Sequence, residues 1–190
     1  MVFRCWGDNN ELMKHYHDFE WGIPLHDDKK LFEFLVLDGA QAGLSWSTIL
    51  NKRENYRKAF DNFDFERISK YDEEKFNELL NNPGIIRNKL KIRAFITNAV
   101  SYINLRKEFG TFNKYIWNFV NNKPIQNKWR NFEEMPSKTP LSEQISKDLK
   151  KRGFKFVGPT IIYAFMQAIG LVNDHLENCF RYEEIRKMAH

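Results

Sequence analysis

The stretch Asp38-Gly39-Ala40-Gln41-Ala42-Gly43-Leu44-Ser45-Trp46 constrains the fold of this chain more than any other. The apolar run Leu31 to Leu37 carries a helical pattern into a lone carboxylate at Asp38. Gly43 stands where that helix must close, since glycine takes the left-handed closing conformation without strain. Ser45 supplies an N-cap oxygen, and the next helix enters at Trp46 and continues through Ile49, Leu50 and Tyr56. Two helices thus meet at a sharp corner flanked by an acid and a large aromatic, with Leu44 at its tip. The pattern suits either an ordinary αα-hairpin or the wall of a concave pocket for something flat and polar.

The remaining chain reads as further helices punctuated by turns. Residues 1–28 are irregular and crowded with Cys5, Trp6, His15, Tyr16, His17, Trp21 and His26. A helix is expected from about Lys29 to the corner, and its successor to about Phe60. Short helices follow near Glu66 to Tyr71 and Glu73 to Leu80. Asn81-Asn82-Pro83-Gly84 is a turn, because Pro presets one dihedral and Gly relieves the next. Ile92, Phe95, Ile96, Ala99 and Ile103 then recur at helical spacing up to a stop at Gly110. Tyr115, Ile116, Phe119 and Val120 mark a shorter helix, and residues 121–138 read as a surface crossover loop. Thr139-Pro140 is an N-cap followed by Pro at the first helical position, and another helix runs from about Thr160 to Ile169, closed by Gly170. No strand pair stands out, so the expected fold is all-α. One domain spans residues 1–183, and residues 184–190 read as a frayed tail.

The chain has 190 residues, enough for one domain with a full core. Its net charge of +5 permits a polyanionic partner without requiring one. Aromatics make up 15% of the residues, compatible with base stacking although most must be core. No stretch approaches the roughly 18 unbroken apolar residues of a membrane span, and Met1 to Asp8 lacks a signal-peptide apolar region. No membrane association is expected, and the expected location is the cytoplasm, where a disulfide between Cys5 and Cys179 is disfavoured.

Two Cys and two His can instead form a tetrahedral zinc site: Cys5, His17, His175 and Cys179. His175 and Cys179 are spaced to share one face of a helical turn. Four protein ligands would leave no open position, which makes such a metal a structural clasp between the chain ends. The same residues are also compatible with a buried thiol and scattered histidines.

Residues 139–170 read as helix, tight hairpin, helix, similar to the helix-hairpin-helix that holds a DNA backbone. Amides around Val157 and Gly158, with the following helix dipole, would receive a phosphate, and Lys150, Lys151, Arg152 and Lys155 would add attraction. The usual hairpin has Gly two positions before Gly158, where this chain has Phe156. An ordinary αα-hairpin with a solvated basic edge fits equally. Trp6, Tyr16, Trp21 and Trp46 are each either core residues or a stacking surface. A clasp at Cys5 and His17 would fix the neighbouring Trp6 and Tyr16 in place.

Taken together, Arg4-Cys5-Trp6, Tyr16-His17-Asp18-Phe19-Glu20-Trp21-Gly22, Gln41 to Trp46, Lys150 to Gly158 and Gly170 to His175 closely resemble the bacterial 3-methyladenine DNA glycosylase I family. The resemblance runs from about Arg4 to Cys179. It implies an all-α helix-hairpin-helix glycosylase that flips an alkylated adenine out of double-stranded DNA and releases free 3-methyladenine. It also implies one structural Zn2+ on Cys5, His17, His175 and Cys179. The methylated base would stack on Trp46 and Trp6, beside Trp21, and be read by Tyr16 and the acid at position 38. Leu44 is the candidate plug for the emptied duplex site, and Lys151, Lys155, Val157 and Gly158 the candidate backbone contacts. A monomer is expected, associated with the nucleoid through DNA.

This chain departs from the family pattern at position 38, where Asp38 replaces the usual Glu. The family also lacks the catalytic Asp common beyond the hairpin, and Asp174, beside a candidate zinc ligand, is expected to orient His175 rather than to act on substrate. Two rivals remain: a zinc hydrolase, which would need an open metal position, and a non-enzymatic binder of alkylated DNA, which would share every motif.

Overall fold

The computed structural model describes residues 3–8 and 10–188. A helix buried along most of its length organises it. That helix, α2 (Asp28–Gln41), follows α1 (Glu11–Phe19), and Leu31 through Ala40 are all buried. Apolar residues on every face make α2 a core helix rather than a surface one. Asp27 caps its start by accepting from the Lys30 amide. The next helices are α3 (Trp46–Ala59), α4 (Phe65–Ile68), α5 (Glu73–Asn81), α6 (Lys89–Phe109) and α7 (Phe112–Asn118). Then come α8 (Pro140–Lys151), α9 (Pro159–Ala168) and α10 (Phe180–Met188). Helix α2 packs against α3, α6 and α9, while α8 packs on α9.

The corner forms as its residues dictate. Gly43 takes φ +76, and Ser45 accepts from the Thr48 amide as α3 begins. Lys91 of α6 reinforces it, donating to Ala40 O at 2.8 Å and Ala42 O at 2.6 Å. These carbonyls close α2 and have no later turn to bond, so the buried ammonium serves as their cap. Burial lowers the Lys91 pKa.

Several expectations change. Residues 11–19 form α1, started by Asn10, whose side chain accepts from the Leu12 and Met13 amides. The short helix near residue 66 spans only Phe65–Ile68. Within the crossover, β1 (Ile125–Gln126) pairs in parallel with β2 (Val172–Asn173). Two residues per strand are too few for an alternating pattern to register in the sequence. The segment expected to fray is helical through Met188, with Ile185 fully buried; residues 189 and 190 of that tail lie outside the described residues. Among the described residues no helix is long and apolar enough to cross a membrane.

Gly170 brings the two ends of the domain together. Its φ is +72, and a Cβ there would lie 2.5 Å from the Ile23 carbonyl carbon. The N-terminal segment bonds to this region through Gly22 N to Gln167 O at 3.1 Å and Leu25 N to Ile169 O at 3.0 Å. Only glycine permits that approach.

Candidate base pocket and metal centre

The corner, α1 and α9 enclose a cavity of about 240 Å3, lined by Trp6, Tyr16, Trp21, Asp38 and Trp46. All five were expected to meet the base. Tyr16 and Trp46 lie 5.2 Å apart between centroids at 44°, Trp6 and Tyr16 6.0 Å apart at 47°, and Trp21 stands edge-on to Trp6 at 5.2 Å. Leu44 does not line the cavity; it is exposed at the corner tip.

Two of the lining side chains carry a buried polar atom without a partner, Asp38 Oδ2 and Trp46 Nε1. An acceptor and a donor left unpaired inside a protein are costly, and a ligand with complementary edges relieves both. Burial pushes the Asp38 carboxyl well above the usual carboxylate range. Burial first, and then the nearby Asp38 charge, also raise the Tyr16 hydroxyl, which stays protonated and available as a donor.

Met13, Gln41, Ala164, Gln167 and Ala168 complete the lining and were not anticipated. Gln41 lay within the corner stretch itself. Ala164, Gln167 and Ala168 recur at i, i+3 and i+4, one face of α9 whose small residues leave the cavity open. A larger cavity of about 510 Å3 lies beside α1 and α3, where Glu33, Arg53 and Arg57 line it. Its arginines and carboxylates bind one another: Arg53 donates to Glu33 at 2.7 Å and to Glu20 at 2.7 Å, and Arg57 to Glu33 at 2.8 Å.

Behind the base pocket, Cys5, His17, His175 and Cys179 converge, their ligand atoms all within 4.8 Å of one another. Cys5 Sγ lies 3.2 Å from His17 Nε2 and 3.7 Å from His175 Nδ1; Cys179 Sγ lies 3.5 and 3.6 Å from the same atoms. Tetrahedral zinc, with Zn–S about 2.3 Å and Zn–N about 2.05 Å, requires S···N separations of about 3.6 Å. The donor set therefore fits zinc in both chemistry and spacing. The outer nitrogens are tied: His17 Nδ1 donates to Asp18 Oδ1 at 2.7 Å, and His175 Nε2 to Trp21 O at 3.0 Å. These bonds leave the inward nitrogens as lone-pair ligands. Arg4 grips Asp18 with Nε and a terminal nitrogen, each at 2.7 Å. Even without an ion, Cys179 is held well below the usual thiol range by the Cys5 hydrogen bond and by His17 and His175, while Cys5 is pushed up in return.

Two details of this centre differ from expectation. His175 and Cys179 sit in a turn ahead of α10 rather than within a helix, with Cys179 N bonded to Leu176 O at 2.8 Å. The Asp174 carboxylate makes no hydrogen bond to His175 among the described residues. It is buried and accepts from Asn127, Trp129, Tyr163 and Gln167.

The hairpin between α8 and α9 is anchored from both sides. Asn98 pairs with Lys155, accepting its amide at 2.7 Å and donating to its carbonyl at 3.0 Å. Ser146 donates to Val157 O at 2.6 Å. Phe156 adopts φ +54, the conformation for which the usual hairpin employs glycine. The amides of Phe156, Val157 and Gly158 donate to no group among the described residues. Lys150, Lys151 and Lys155 are exposed. Arg152, expected to join them, is instead bound to Asp148 at 2.7 Å and Glu108 at 2.6 Å.

The methyladenine glycosylase family model matches residues 6–182. The chain belongs to the methyladenine glycosylase family. It is 48% identical over 180 residues to DNA-3-methyladenine glycosylase 1 of Escherichia coli, covering 94% of this chain and 96% of that protein. It is 47% identical over 180 residues to the DNA-3-methyladenine glycosylase of Haemophilus influenzae, covering 94% and 97%. The structure of 3-methyladenine DNA glycosylase I from Staphylococcus aureus, described for its recognition of 3-methyladenine, superposes with a TM-score of 0.90 at 36% identity, covering 93% of this chain and 94% of that one. Members of the methyladenine glycosylase family thus share this all-α architecture across nearly the whole chain.

Proposed function

We propose that this protein hydrolyses the N-glycosidic bond of 3-methyladenine in alkylated duplex DNA, as its relatives' names describe for them. One observation carries the reading: Asp38 and Trp46, each holding a buried polar atom without a partner, line an aromatic cavity sized for a single heterocycle.

Adenine alkylated at N3 is cationic within DNA and leaves as a neutral base. Its departure needs no proton from the protein. The residues have to flip the nucleotide out, hold the base and exclude competing water. Trp46 and Trp6 offer ring faces to a cationic purine, worth about 2 kcal/mol when desolvated. A cation beside Asp38 offsets the burial that keeps its carboxyl protonated, so the ionised form is favoured once substrate is bound. Asp38 then accepts from the base and Tyr16 donates to it. Water bonds to the sugar carbon as the carbon–nitrogen bond breaks. The bonding electrons neutralise the purine, and the water's proton passes to solvent.

The hairpin amides of Val157 and Gly158, the N-terminus of α9, Lys151 and Lys155 would hold a backbone phosphate as in helix-hairpin-helix proteins. Leu44, exposed at the corner, would fill the space vacated in the duplex. A structural zinc on Cys5, His17, His175 and Cys179 would supply a crosslink rather than chemistry, since all four of its positions are taken. It would fix Trp6 and Tyr16, each next to a ligand, at the pocket. Incubation with methylated duplex and chromatography of the released bases tests the reading. Free 3-methyladenine is expected; tight binding without release would favour a non-enzymatic binder.

A further inference from the structure

Behind the pocket wall, four donors converge on Asp174. Its Oδ1 accepts from Asn127 Nδ2 at 2.7 Å and Trp129 Nε1 at 2.8 Å; its Oδ2 accepts from Tyr163 OH at 2.5 Å and Gln167 Nε2 at 2.8 Å. A carboxylate holding four donors is saturated and fixed in position. Of these donors, Gln167 alone also lines the base pocket.

The chemistry of the contact settles which way the Gln167 amide faces. A carboxylate accepts only, so the end against Asp174 must be the NH2 group. Its second hydrogen reaches Met135 Sδ, at 3.1 Å from the nitrogen. Both N–H bonds are thereby consumed within the protein. Oε1 has no partner among the described residues, and on this half-buried side chain it stays accessible. Gln167 lines the cavity, and that oxygen is its remaining polar group. We propose that Gln167 is a specificity-determining residue: Oε1 accepts a hydrogen bond from the exocyclic amine of the bound base. Asp174 is its positioning residue, holding the amide so that the pocket presents an acceptor and never a donor at this point. A purine with a carbonyl in place of that amine then meets oxygen against oxygen and leaves Gln167 unsatisfied, which is how a hydrogen-bonding site rejects an analogue.

This proposal rests on the glycosylase reading, and its test separates the two. Methylated duplex contains both 3-methyladenine, with an amine at C6, and 3-methylguanine, with a carbonyl there. The release rates of the two bases are compared for the wild-type protein, Gln167→Met and Asp174→Asn, with melting temperature recorded for each. Gln167→Met keeps length and removes the acceptor. The ratio of 3-methyladenine to 3-methylguanine release is expected to fall about fivefold to tenfold, the effect of one hydrogen bond, with the melting temperature little changed. Asp174→Asn lets either end of the Gln167 amide face inward, and the ratio is expected to fall in the same direction. As a readout independent of turnover, affinity for free 3-methyladenine, followed by tryptophan fluorescence, should weaken in Gln167→Met. If the wild-type protein releases 3-methyladenine but Gln167→Met leaves both ratio and affinity unchanged, the proposal is overturned. If the wild-type protein releases neither base, the glycosylase reading itself fails.

Discussion

At the scale of single residues, Asp38 governs both the site and its cost. The unfolded chain loses this proton near pH 4, whereas burial makes the folded chain keep it to higher pH. Stability from this group is complete below about pH 4 and is lost as pH rises through the folded value. Asp38→Asn removes that loss. Urea midpoints measured from pH 4 to pH 8 should increasingly favour the Asn variant as pH rises; parallel pH profiles would contradict the burial of an ionisable group here. Losing a methylene relative to the family's Glu draws the carboxylate back by about 1–1.5 Å, enough to turn a direct hydrogen bond into a long or water-bridged one. Asp38→Glu is therefore expected to match or exceed the wild-type rate of base release, and a clear loss of rate would make the short side chain a packing requirement. The sequence marked Asp38, Trp46 and Tyr16 because an acid, a Trp and a Tyr beside special residues are visible locally. Lys91 was invisible because its role arises from carbonyls distant in sequence, those of Ala40 and Ala42, and Gln167 because its nearby partner Asp174 lies past the end of α9, where helical spacing no longer applies.

At the scale of elements, the hairpin and α2 interlock. A Cβ on Gly39 would approach Phe156 Cβ to 3.2 Å and its carbonyl oxygen to 3.3 Å. Gly39→Ala should push the hairpin off α2 and cost about 1–3 kcal/mol in denaturant unfolding, as overpacking does; an unchanged midpoint would show that the hairpin yields freely. Replacing Lys151 and Lys155 together should weaken binding to any duplex and flatten its salt dependence, with discrimination between damaged and normal bases retained. Lost discrimination at constant affinity would contradict the assignment of the hairpin to the backbone. Helices with strong caps, at Ser45 and Thr139, were legible in sequence because the cap and the apolar face agree. Helix α1 was missed although Asn10 caps it and Leu12, Tyr16 and Phe19 recur at helical spacing, because it is short and lies in a stretch crowded with Cys, His and Trp that read as irregular. The β1–β2 pair was missed because the partners lie in segments far apart in sequence.

At the scale of the whole molecule, the two chain ends close on each other behind the base pocket. Elemental analysis of protein purified without added metal should find one zinc per chain. Chelation should lower the melting temperature and loosen residues 3–8 and 175–188; a metal-free protein of unchanged stability and activity would contradict the clasp. The convergence of Cys5, His17, His175 and Cys179 was legible from residue type, while the turn that holds His175 and Cys179 was not, because a spacing of four suits a helix and a turn alike. The central claim is that Asp38 and its aromatic neighbours form the pocket where the base is cut free. Single-turnover release of 3-methyladenine by the wild-type protein and by Asp38→Asn, at saturating enzyme and with duplex affinity measured in parallel, tests it most directly. The account predicts rapid release by the wild-type protein and release slower by about tenfold to a hundredfold in the variant, at equal duplex affinity. Equal release rates for the two proteins would contradict it.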